Sequence, residues 1–407
     1  MKLPEAPWQN AEAMPKLLAA LGAAEGETRF VGGCVRDTLL GLPVSDVDLA
    51  TRLLPADVMK RIRGAGLKPI PTGLAHGTVT ALIGNRSTVE ITTLRRDVAT
   101  DGRRATIAYT DDWREDAARR DFTINALSAD PASLEVHDYF GGLDDLAARR
   151  VRFIGDPITR IAEDHLRILR FFRFHARFGS GEPDSEGLAA CAARANDLMA
   201  LSRERIADEL LKLLGLPDPA STVALMLAHG ILAPVLPEIE QVGSHRLARL
   251  PQRESAAGVP ADPLRRFGAL LPADSEAAAA VGARLRLSNV ARQRLVCIAG
   301  RGDPAPADPA ALAYRVGLPC AIDRLLLSEA LSMGDAAAAV RRLEGWQKPK
   351  LPVTGGMLIA RGLEAGPVVA RTIQAIERDW IEAGFPDGAA FETIVDDRLA
   401  QALSDSQ

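Results

Sequence analysis

The segment Phe30–Asp37, FVGGCVRD, is followed closely by Ser45–Thr51, SDVDLAT, and together they indicate both fold and site. In the first segment, two glycines separate an apolar run from a helix-like stretch, which predicts a strand, a tight turn and a helix. A phosphate could approach the backbone N–H groups at Gly32 and Gly33, and Arg36 could bind a phosphate oxygen. A structural turn with a surface arginine would show the same pattern, so the glycines alone do not decide.

The two aspartates of the second segment give it chemical meaning. Side chains at positions i and i+2 of a strand point to the same face, so Asp46 and Asp48 converge if the segment is a strand. Two adjacent carboxylates repel each other unless a cation neutralises them, and carboxylate oxygens favour Mg²⁺ or Mn²⁺ over zinc. A solvated edge strand is the alternative for such a pair alone. The preceding glycine turn argues for the metal site.

A third acidic residue, Glu90, lies in another predicted strand. Thr78–Ile83 and Ser87–Leu94 have the composition of two hairpin arms joined by residues 84–86. Glu90 would supply a third carboxylate if its arm lies beside the strand of Asp46 and Asp48. A polar residue on the solvent face of an alternating strand is an equal alternative.

Arginines are concentrated next to an apolar run in the segment RRDFTINAL, residues 119–127. The guanidinium groups of Arg119 and Arg120 suit phosphate and ribose oxygens, and Asp121 and Asn125 add a carboxylate and an amide. A salt-bridged helix start is the structural alternative. The segment therefore predicts a second wall of a nucleotide site.

The segment Thr159–Phe178 has helical spacing and carries a charged row. Asp164, Arg167 and Arg170 recur at i, i+3 and i+6, so one continuous helix would bring them to one side. An intrahelical ion pair is the common structural explanation. A carboxylate beside a guanidinium also matches the amine and adjacent ring nitrogen of cytosine and adenine, whereas uracil and guanine present carbonyl oxygens to the carboxylate. Such a pair would select CTP and ATP over UTP and GTP.

The pattern of the chain changes beyond about residue 158. Earlier residues form short β-branched runs, whereas later segments such as Ser202–Leu214 are rich in Leu, Ala and Arg with helical spacing. Breaker-rich Pro251–Pro263 and Arg301–Pro309 predict loops, and Arg95–Ala118 predicts a flexible functional loop. The predicted fold class is α+β, with a small N-terminal head containing a β-sheet and helical domains behind it.

Composition limits the possible function classes. The 407 residues, 47% of them hydrophobic, indicate several folded domains, and the net charge of -4 excludes coating of nucleic acid by charge alone. The four cysteines have no paired spacing, which predicts neither a zinc site nor a disulfide framework and fits a reduced compartment. No apolar run approaches the length of a membrane span. We expect a cytoplasmic protein without a membrane or an obligate protein partner.

Seven motifs follow one another between about residues 29 and 180: GGCVRD, DVDLAT, TGLAHGT, EITTLR, RRDFTINAL, HDYFGGLDDL and EDHLRILRFFRF. They resemble, in order and content, the class II CCA-adding tRNA nucleotidyltransferases and their poly(A) polymerase relatives. The resemblance implies a nucleotidyltransferase head at residues 1–140, a neck at 141–215, a body at 216–330 and a tail with tRNA contacts at 331–407. In the tail, Thr354–Ile359 departs from the family's usual Gly-x-Asp-Leu.

The resemblance also implies an activity, which is addition of CCA to the 3′ end of tRNA from CTP and ATP. Asp46 and Asp48 would bind the metal ions, Mg²⁺ with Mn²⁺ as an alternative, and Glu90 is a further catalytic candidate. Asp164 and Arg167 would read the base. The residues expected to contact the nucleotide are Gly32, Gly33, Arg36, Arg119, Arg120, Asp121, Asn125, Asp164, Arg167, Arg170 and Arg173.

Related activities remain as alternatives at this point. The segment TGLAHGT resembles the CCA-adding branch, whereas a poly(A) polymerase, or an enzyme that adds only CC or only A, would share the remaining motifs. A non-catalytic RNA-binding regulator is a third class. It would have no need to keep both metal-binding carboxylates.

Overall fold

The computed structural model describes residues 1–11, 13–84, 87–100, 105–302 and 308–405. It divides into two compact units: Met1–Leu213 with Thr222–Val235, and Leu214–Ser221 with Leu236–Gln407. The division into head, neck, body and tail stays a prediction. None of the described helices is long and apolar enough to cross a lipid bilayer.

The described strands all lie in the first unit. They are β1 (Thr28–Val31), β2 (Val47–Thr51), β3 (Lys68–Gly73), β4 (Thr78–Ile83), β5 (Ser87–Thr93), β6 (Arg95–Thr100), β7 (Ala105–Tyr109), β8 (Ser128–Ala129) and β9 (Val136–His137). Seven of them form one sheet in the order β3-β4-β5-β2-β1-β8-β9, and β6 pairs with β7 separately. Because β2 lies between β1 and β5, the motif strands are at the centre of the sheet.

The described α-helices lie before, between and after these strands along the chain. They are α1 (Met14–Ala20), α2 (Gly33–Leu39), α3 (Pro55–Gly64), α4 (Trp113–Ala118), α5 (Gly142–Ala147), α6 (Pro157–Glu163), α7 (Arg167–Phe178), α8 (Ser185–Ala193), α9 (Arg203–Leu214), α10 (Ala220–Ala228), α11 (Gln241–Ala256), α12 (Pro263–Leu270), α13 (Ser275–Arg284), α14 (Asn289–Ala299), α15 (Pro309–Val316), α16 (Leu318–Leu327), α17 (Met333–Arg341), α18 (Gly355–Ala360), α19 (Pro367–Glu382) and α20 (Gly388–Ser404). The predicted α+β class, with a sheet first and helices after it, is confirmed.

The predicted hairpin is confirmed as β4 and β5, which pair in antiparallel register. Residues 85 and 86 of its turn lie outside the described residues. The prediction of a flexible loop at Arg95–Ala118 is wrong, because β6, β7 and α4 occupy most of it. Backbone groups form the hydrogen bonds that pair strands. The many charged side chains give this segment the composition of a loop, so composition did not predict the strands. Residues 101–104 of this segment lie outside the described residues.

The prediction of one continuous helix through Asp164 is also wrong. Helix α6 ends at Glu163, Asp164 has an extended backbone with φ −151° and ψ 106°, and α7 begins at Arg167. The Asp164 Oδ1 accepts the backbone N–H of Leu166 at 3.1 Å. Aspartate competes with helix formation through such local bonds, so it forms a turn between two helices here.

Aromatic rings fix α7 against the preceding segments of the first unit. The Phe122 ring lies 5.0 Å from that of Phe153 and 5.1 Å from that of Phe174, measured between centroids. Phe171 stacks on Phe153 at 5.4 Å, and Phe122, Phe153 and Phe171 are buried. Burying rings of this size stabilises the packing by several kcal/mol, roughly 1.5–3 for each side chain. The motif RRDFTINAL and α7 therefore share one core.

In the second unit, the prediction of a loop at Pro251–Pro263 is wrong for its first half, because α11 continues to Ala256 with Pro251 inside it. Buried Glu254 explains this, since it binds Arg265 at 2.8 Å and Arg266 at 2.8 Å on α12. These long-range ion pairs outweigh the local cost of the proline. Of the other predicted loop, residues 303–307 lie outside the described residues.

The expectation that the cysteines form no disulfide is wrong for one pair. Cys297 on α14 and Cys320 on α16 are bonded to each other, whereas Cys34 and Cys191 are free and buried. The bonded cysteines are 23 positions apart, with α15 between them. A pairing set by the packing of helices leaves no short spacing in the sequence.

Candidate active site

A cavity of about 570 Å³ lies in the first unit. The predicted residues that line it are Gly32, Gly33, Arg36, Asp46, Asp48, Arg119, Arg120, Asp121, Asn125, Asp164, Arg167 and Arg170. Four further residues, Asp37, Ser45, Phe174 and Arg177, line it without having been predicted. Motifs separated by more than 100 positions therefore meet around one space.

The glycine turn leads from β1 into α2 at one wall of the cavity. Gly32 has a φ of 70°, and a Cβ added there would come 2.9 Å from Nη1 of Arg120. The backbone conformation therefore favours glycine, and a larger residue would also displace the end of the Arg120 side chain. The Gly32 N–H donates to the Leu127 carbonyl at 3.0 Å, which ties the turn to the RRDFTINAL segment.

Three carboxylates form what we call the acidic edge: Asp46, Asp48 and Glu90. Strand β2 pairs in parallel with β5, and Asp48 stands directly opposite Glu90. The condition set for Glu90, that its arm lies beside the aspartate strand, is thus met. Burial is the main cause that raises the pKa of Asp48 to about 6; the charges of Glu90 and Asp46 act in the same direction, and Arg120 opposes them. These carboxylates repel each other.

The acidic edge fits a divalent cation in its chemistry. Burial, together with the charges of Glu90 and Asp46, raises the pKa of Asp48, and a bound cation would favour its ionised form. Carboxylate oxygens are suitable ligands for such a cation. Within the part of the chain that the structure describes, no group of three or more His, Cys, Asp or Glu side chains is arranged to enclose a metal. The remaining ligands would come from substrate and water, as is usual for Mg²⁺ beside phosphates.

A series of buried polar side chains connects α2, the helix that follows the glycine turn, to α7. The Arg36 Nε donates to Asp37 Oδ1 at 2.7 Å, and its Nη1 donates to Asn125 Oδ1. The Asn125 Nδ2 donates to Asp121 Oδ1 at 2.8 Å, and Arg170 binds Asp121 Oδ2 at 2.5 Å and 2.8 Å. Although burial acts to raise it, the pKa of Asp121 is lowered by Arg170 and Asn125. These bonds hold three motifs in one geometry.

Arg119 and Arg120 are held in place by Asp116, a buried residue of α4 that the sequence analysis missed. The Arg119 Nε donates to Asp116 Oδ1 at 2.8 Å, and Arg120 Nη2 donates to Oδ2 at 3.4 Å. Burial lowers the pKa of Arg119 to about 10, with Asp116 opposing the shift. The i, i+3 and i, i+4 spacing of these residues was the signal that could have revealed Asp116.

Asp164 and Arg167, which we call the base-reading pair after the role predicted for them, line the cavity from the turn and the first residue of α7. Arg205 of α9 donates from Nη2 to both oxygens of Asp164, at 3.1 Å and 2.8 Å. The Arg167 Nη1 donates to Glu163 Oε2 at 2.6 Å, and its Nη2 donates to the Arg119 carbonyl at 2.9 Å. The spacing predicted their meeting correctly, although a turn rather than one helix achieves it.

Two of the predicted residues do not line the cavity. Arg173 binds Glu209 of α9, which keeps its guanidinium on another side of α7, and Glu90 lies exposed at the acidic edge. Phe174 and Arg177, which do line it, follow Arg170 at helical spacing. Continuing the i+3 and i+4 pattern of α7 would have found them.

The fold and the cavity define a class of protein. Adjacent strands present carboxylates for a metal ion, a glycine turn and arginines offer donors for phosphates, and a carboxylate–arginine pair can select a base. These are the parts of a nucleotidyltransferase. In agreement, residues 28–152 match the poly A polymerase head domain, and residues 182–242 match the probable RNA and SrmB-binding site of polymerase A.

Full-length relatives narrow the class. The mitochondrial CCA tRNA nucleotidyltransferase 1 of Mus musculus is 31% identical over 398 residues, covering 95% of this chain and 90% of the mouse protein. The CCA-adding enzyme of Streptococcus gordonii is 33% identical over 408 residues, covering 95% and 97% of the two chains. This chain belongs to the family of CCA-adding tRNA nucleotidyltransferases. The family resemblance of its motifs is thereby confirmed.

A solved structure supports the same family. The Bacillus stearothermophilus CCA-adding enzyme in complex with CTP superposes with a TM-score of 0.74 at 26% identity, covering 97% of this chain and 99% of that one. Enzymes of this family generally use divalent metals, in keeping with the acidic edge. Because relatives include mitochondrial as well as bacterial enzymes, the family does not fix the compartment, and the cytoplasmic location stays a prediction.

Proposed function

We propose that this chain adds CCA to the 3′ end of tRNA from CTP and ATP, and that each addition releases pyrophosphate. One observation carries the proposal: the acidic edge and the base-reading pair meet at the same cavity, so a nucleotide selected by its base would present its α-phosphate to the carboxylates. The family relationship supports the same activity.

Asp46 and Asp48 would hold Mg²⁺, with Mn²⁺ as an alternative. Bound there, the ions would activate the RNA 3′-hydroxyl for attack on the α-phosphate and stabilise charge on the departing pyrophosphate. Glu90 lies across from Asp48 and raises its pKa, so it acts on the same site through charge.

The remaining cavity residues would position the nucleotide. We assign phosphate and ribose contacts to Gly32, Gly33, Arg36, Arg119, Arg120, Asp121, Asn125 and Arg170, with Arg173 supporting α7 from the other side. Many of these side chains already bind one another, so they are fixed before substrate arrives. Fixed donors lower the entropy that must be given up when substrate is aligned for attack.

Base choice would rest on the base-reading pair. The Asp164 carboxylate accepts the exocyclic amine of cytosine or adenine, and Arg167 donates to the adjacent ring nitrogen. UTP and GTP would place a carbonyl oxygen against the carboxylate and leave polar groups unsatisfied, which rejects them strongly. Arg205 donates hydrogen bonds to both oxygens of Asp164 and so limits the rotation of that carboxylate.

A poly(A) polymerase is the second candidate, because the matching head domain carries that name. Both activities need the same head and the same adenine contacts. The near-complete overlap with CCA-adding enzymes and the TGLAHGT segment favour CCA addition. Enzymes that add only CC or only A would differ from it in the end point of the reaction.

Product length separates these activities. The protein would be incubated with Mg²⁺ and three tRNA acceptors, ending before CCA, after C and after CC, with CTP and ATP supplied separately and together. CCA synthesis gives three, two and one additions. A long adenosine ladder means poly(A) synthesis, an early stop means partial addition, and no product on any acceptor contradicts the proposal and favours an RNA-binding regulator.

A further inference from the structure

Helix α7 carries four arginines, and one of them differs from the rest. Arg167, Arg170 and Arg173 each bind a carboxylate of the protein at 2.5 to 2.6 Å. Arg177 approaches Asp37 Oδ2 at 3.4 Å, and its side chain is 40% exposed. Three guanidinium groups are therefore engaged in holding the protein together, whereas Arg177 makes only a long ion pair.

The carboxylate near Arg177 is already neutralised by another residue. Arg36 binds Asp37 Oδ1 through Nε at 2.7 Å and through Nη2 at 2.6 Å. Two guanidinium groups thus share one carboxylate, which leaves one positive charge uncompensated within this group. Burial lowers the pKa of Arg36, Asp37 opposes that shift, and Arg177 lowers the pKa further. An anion beside Arg177 would relieve this repulsion.

Arg177 faces the nucleotide cavity at the end away from the base-reading pair. Both Arg177 and Asp37 line the cavity, and Arg177 lies ten positions along α7 from Arg167. At 1.5 Å per residue this places the two about 15 Å apart along the helix axis. The Phe178 ring supports the guanidinium at 4.9 Å. With the base at Arg167, the phosphates of a nucleotide would extend toward Arg177.

We propose that Arg177 binds the terminal phosphates of the incoming nucleoside triphosphate and the pyrophosphate released from it. The proposal rests on the function proposed above. A guanidinium presents paired donors that match phosphate oxygens, and it keeps its charge at any working pH. Arg177 would exchange its long ion pair with Asp37 for the phosphates, so little protein structure has to break.

Binding without turnover provides the test. The dissociation constants of CTP and CMP would be measured for the full chain with Mg²⁺, for Arg177→Ala and for Arg177→Lys. Removal of a charged donor should weaken CTP about tenfold and leave CMP unchanged, with lysine intermediate. Inhibition by inorganic pyrophosphate should weaken in parallel. Arg63→Ala on α3, exposed and absent from the cavity lining, is the matched control.

Two outcomes overturn the assignment. If Arg177→Ala weakens CTP and CMP equally, or weakens neither, Arg177 does not recognise the terminal phosphates. If the KM for the tRNA acceptor rises while CTP binding is unchanged, the phosphates of the RNA backbone are its ligand instead. The melting temperature should stay at the wild-type value, because the ion pair between Arg177 and Asp37 is long and partly open to solvent. Absence of CCA addition by the wild type would reject the proposed function and leave the nucleotide-binding result interpretable.

Discussion

Asp46 and Asp48 of the acidic edge and Arg167, Arg170 and Arg177 of α7 line the same cavity, but the two regions differ in how their charges are paired. At the acidic edge, Asp46, Asp48 and Glu90 crowd together, and Arg120 is the cation that opposes their effect on the pKa of Asp48. On α7, three of the four arginines bind a carboxylate of the protein at 2.5 to 2.6 Å, and the fourth, Arg177, makes a longer ion pair at 3.4 Å. The acidic edge would therefore be stabilised by a bound cation, whereas the paired arginines of α7 are held in place by the protein itself.

This difference separates residues that bind from residues that position. Buried and crowded carboxylates raise the free energy of the folded protein when they are ionised, and a bound cation offsets that cost at neutral pH. Paired arginines change little when substrate leaves, since their partners remain in place. Variants at the acidic edge should therefore act on chemistry, whereas variants around α7 should act on selectivity.

Asp48→Ala tests the acidic edge and should have the largest effect on nucleotide incorporation. We expect incorporation of CTP into tRNA to fall by about 10³-fold or more, because several kcal/mol of stabilisation by metal ions would disappear. Folding should not suffer, since a repelled carboxylate is removed. Single-turnover incorporation and thermal melting measure the two quantities.

Asp57→Ala on α3, exposed and outside the cavity lining, is the matched control and should retain activity. Full activity in Asp48→Ala would remove the core of the proposed mechanism. Glu90→Gln completes the series. A loss of activity as deep as that of Asp48→Ala would give Glu90 a direct role, and a mild loss would limit it to an effect through charge.

Asp164→Ala tests selectivity at the α7 side, where a smaller effect is expected. Removing the acceptor should lower the preference for CTP over UTP by about 10²-fold, because the uracil carbonyl no longer faces a carboxylate. The ratio of kcat/KM values for CTP and UTP measures it. Unchanged discrimination would contradict the assignment of Asp164 as a base-reading residue.

The acidic edge and the surroundings of α7 also differ in how far the sequence could reveal them. The acidic edge was predictable because its signal is local. Asp46 directly precedes β2 and Asp48 lies within it, and Asp48 and Glu90 needed only adjacent strands. Around α7 the cavity residues were predictable from helical spacing. Their partners were not, since Arg205 lies 41 positions from Asp164 and Arg170 lies 49 positions from Asp121.

The same limit explains the errors in the fold. The break at Asp164 depends on a side-chain bond to the next turn and on Arg205, and periodicity alone cannot weigh either against helix propensity. The helix through Pro251 depends on Glu254 reaching α12. Local patterns thus indicated many of the elements, although not β6, β7 and α4, and contacts distant in sequence determined where elements such as α6 and α11 end.

Arg205→Ala tests whether base selection depends on a positioning residue that does not itself line the cavity. Without its grip, Asp164 can rotate, and discrimination against UTP should fall by about tenfold, less than for Asp164→Ala itself. Arg205→Lys should restore most of it, because a single ammonium can still reach the carboxylate. The same kcat/KM ratios apply. If Arg205→Ala discriminates like the wild type, the bond from Leu166 N–H suffices to orient Asp164.

Asp48→Asn should give the smallest effect, a pH-dependent gain in stability when metal is chelated. Folding raises the pKa of Asp48 from 3.8 to about 6, so Asp48 binds a proton more tightly in the folded protein than in the unfolded protein. Ionised Asp48 therefore destabilises the fold above about pH 6, and this penalty vanishes below the unfolded pKa. The substitution should raise the free energy of unfolding by about 1–2 kcal/mol at pH 8 and by almost nothing at pH 4. Urea denaturation in EDTA at both pH values measures the difference, and a gain independent of pH would mean that ionisation of Asp48 is not its cause.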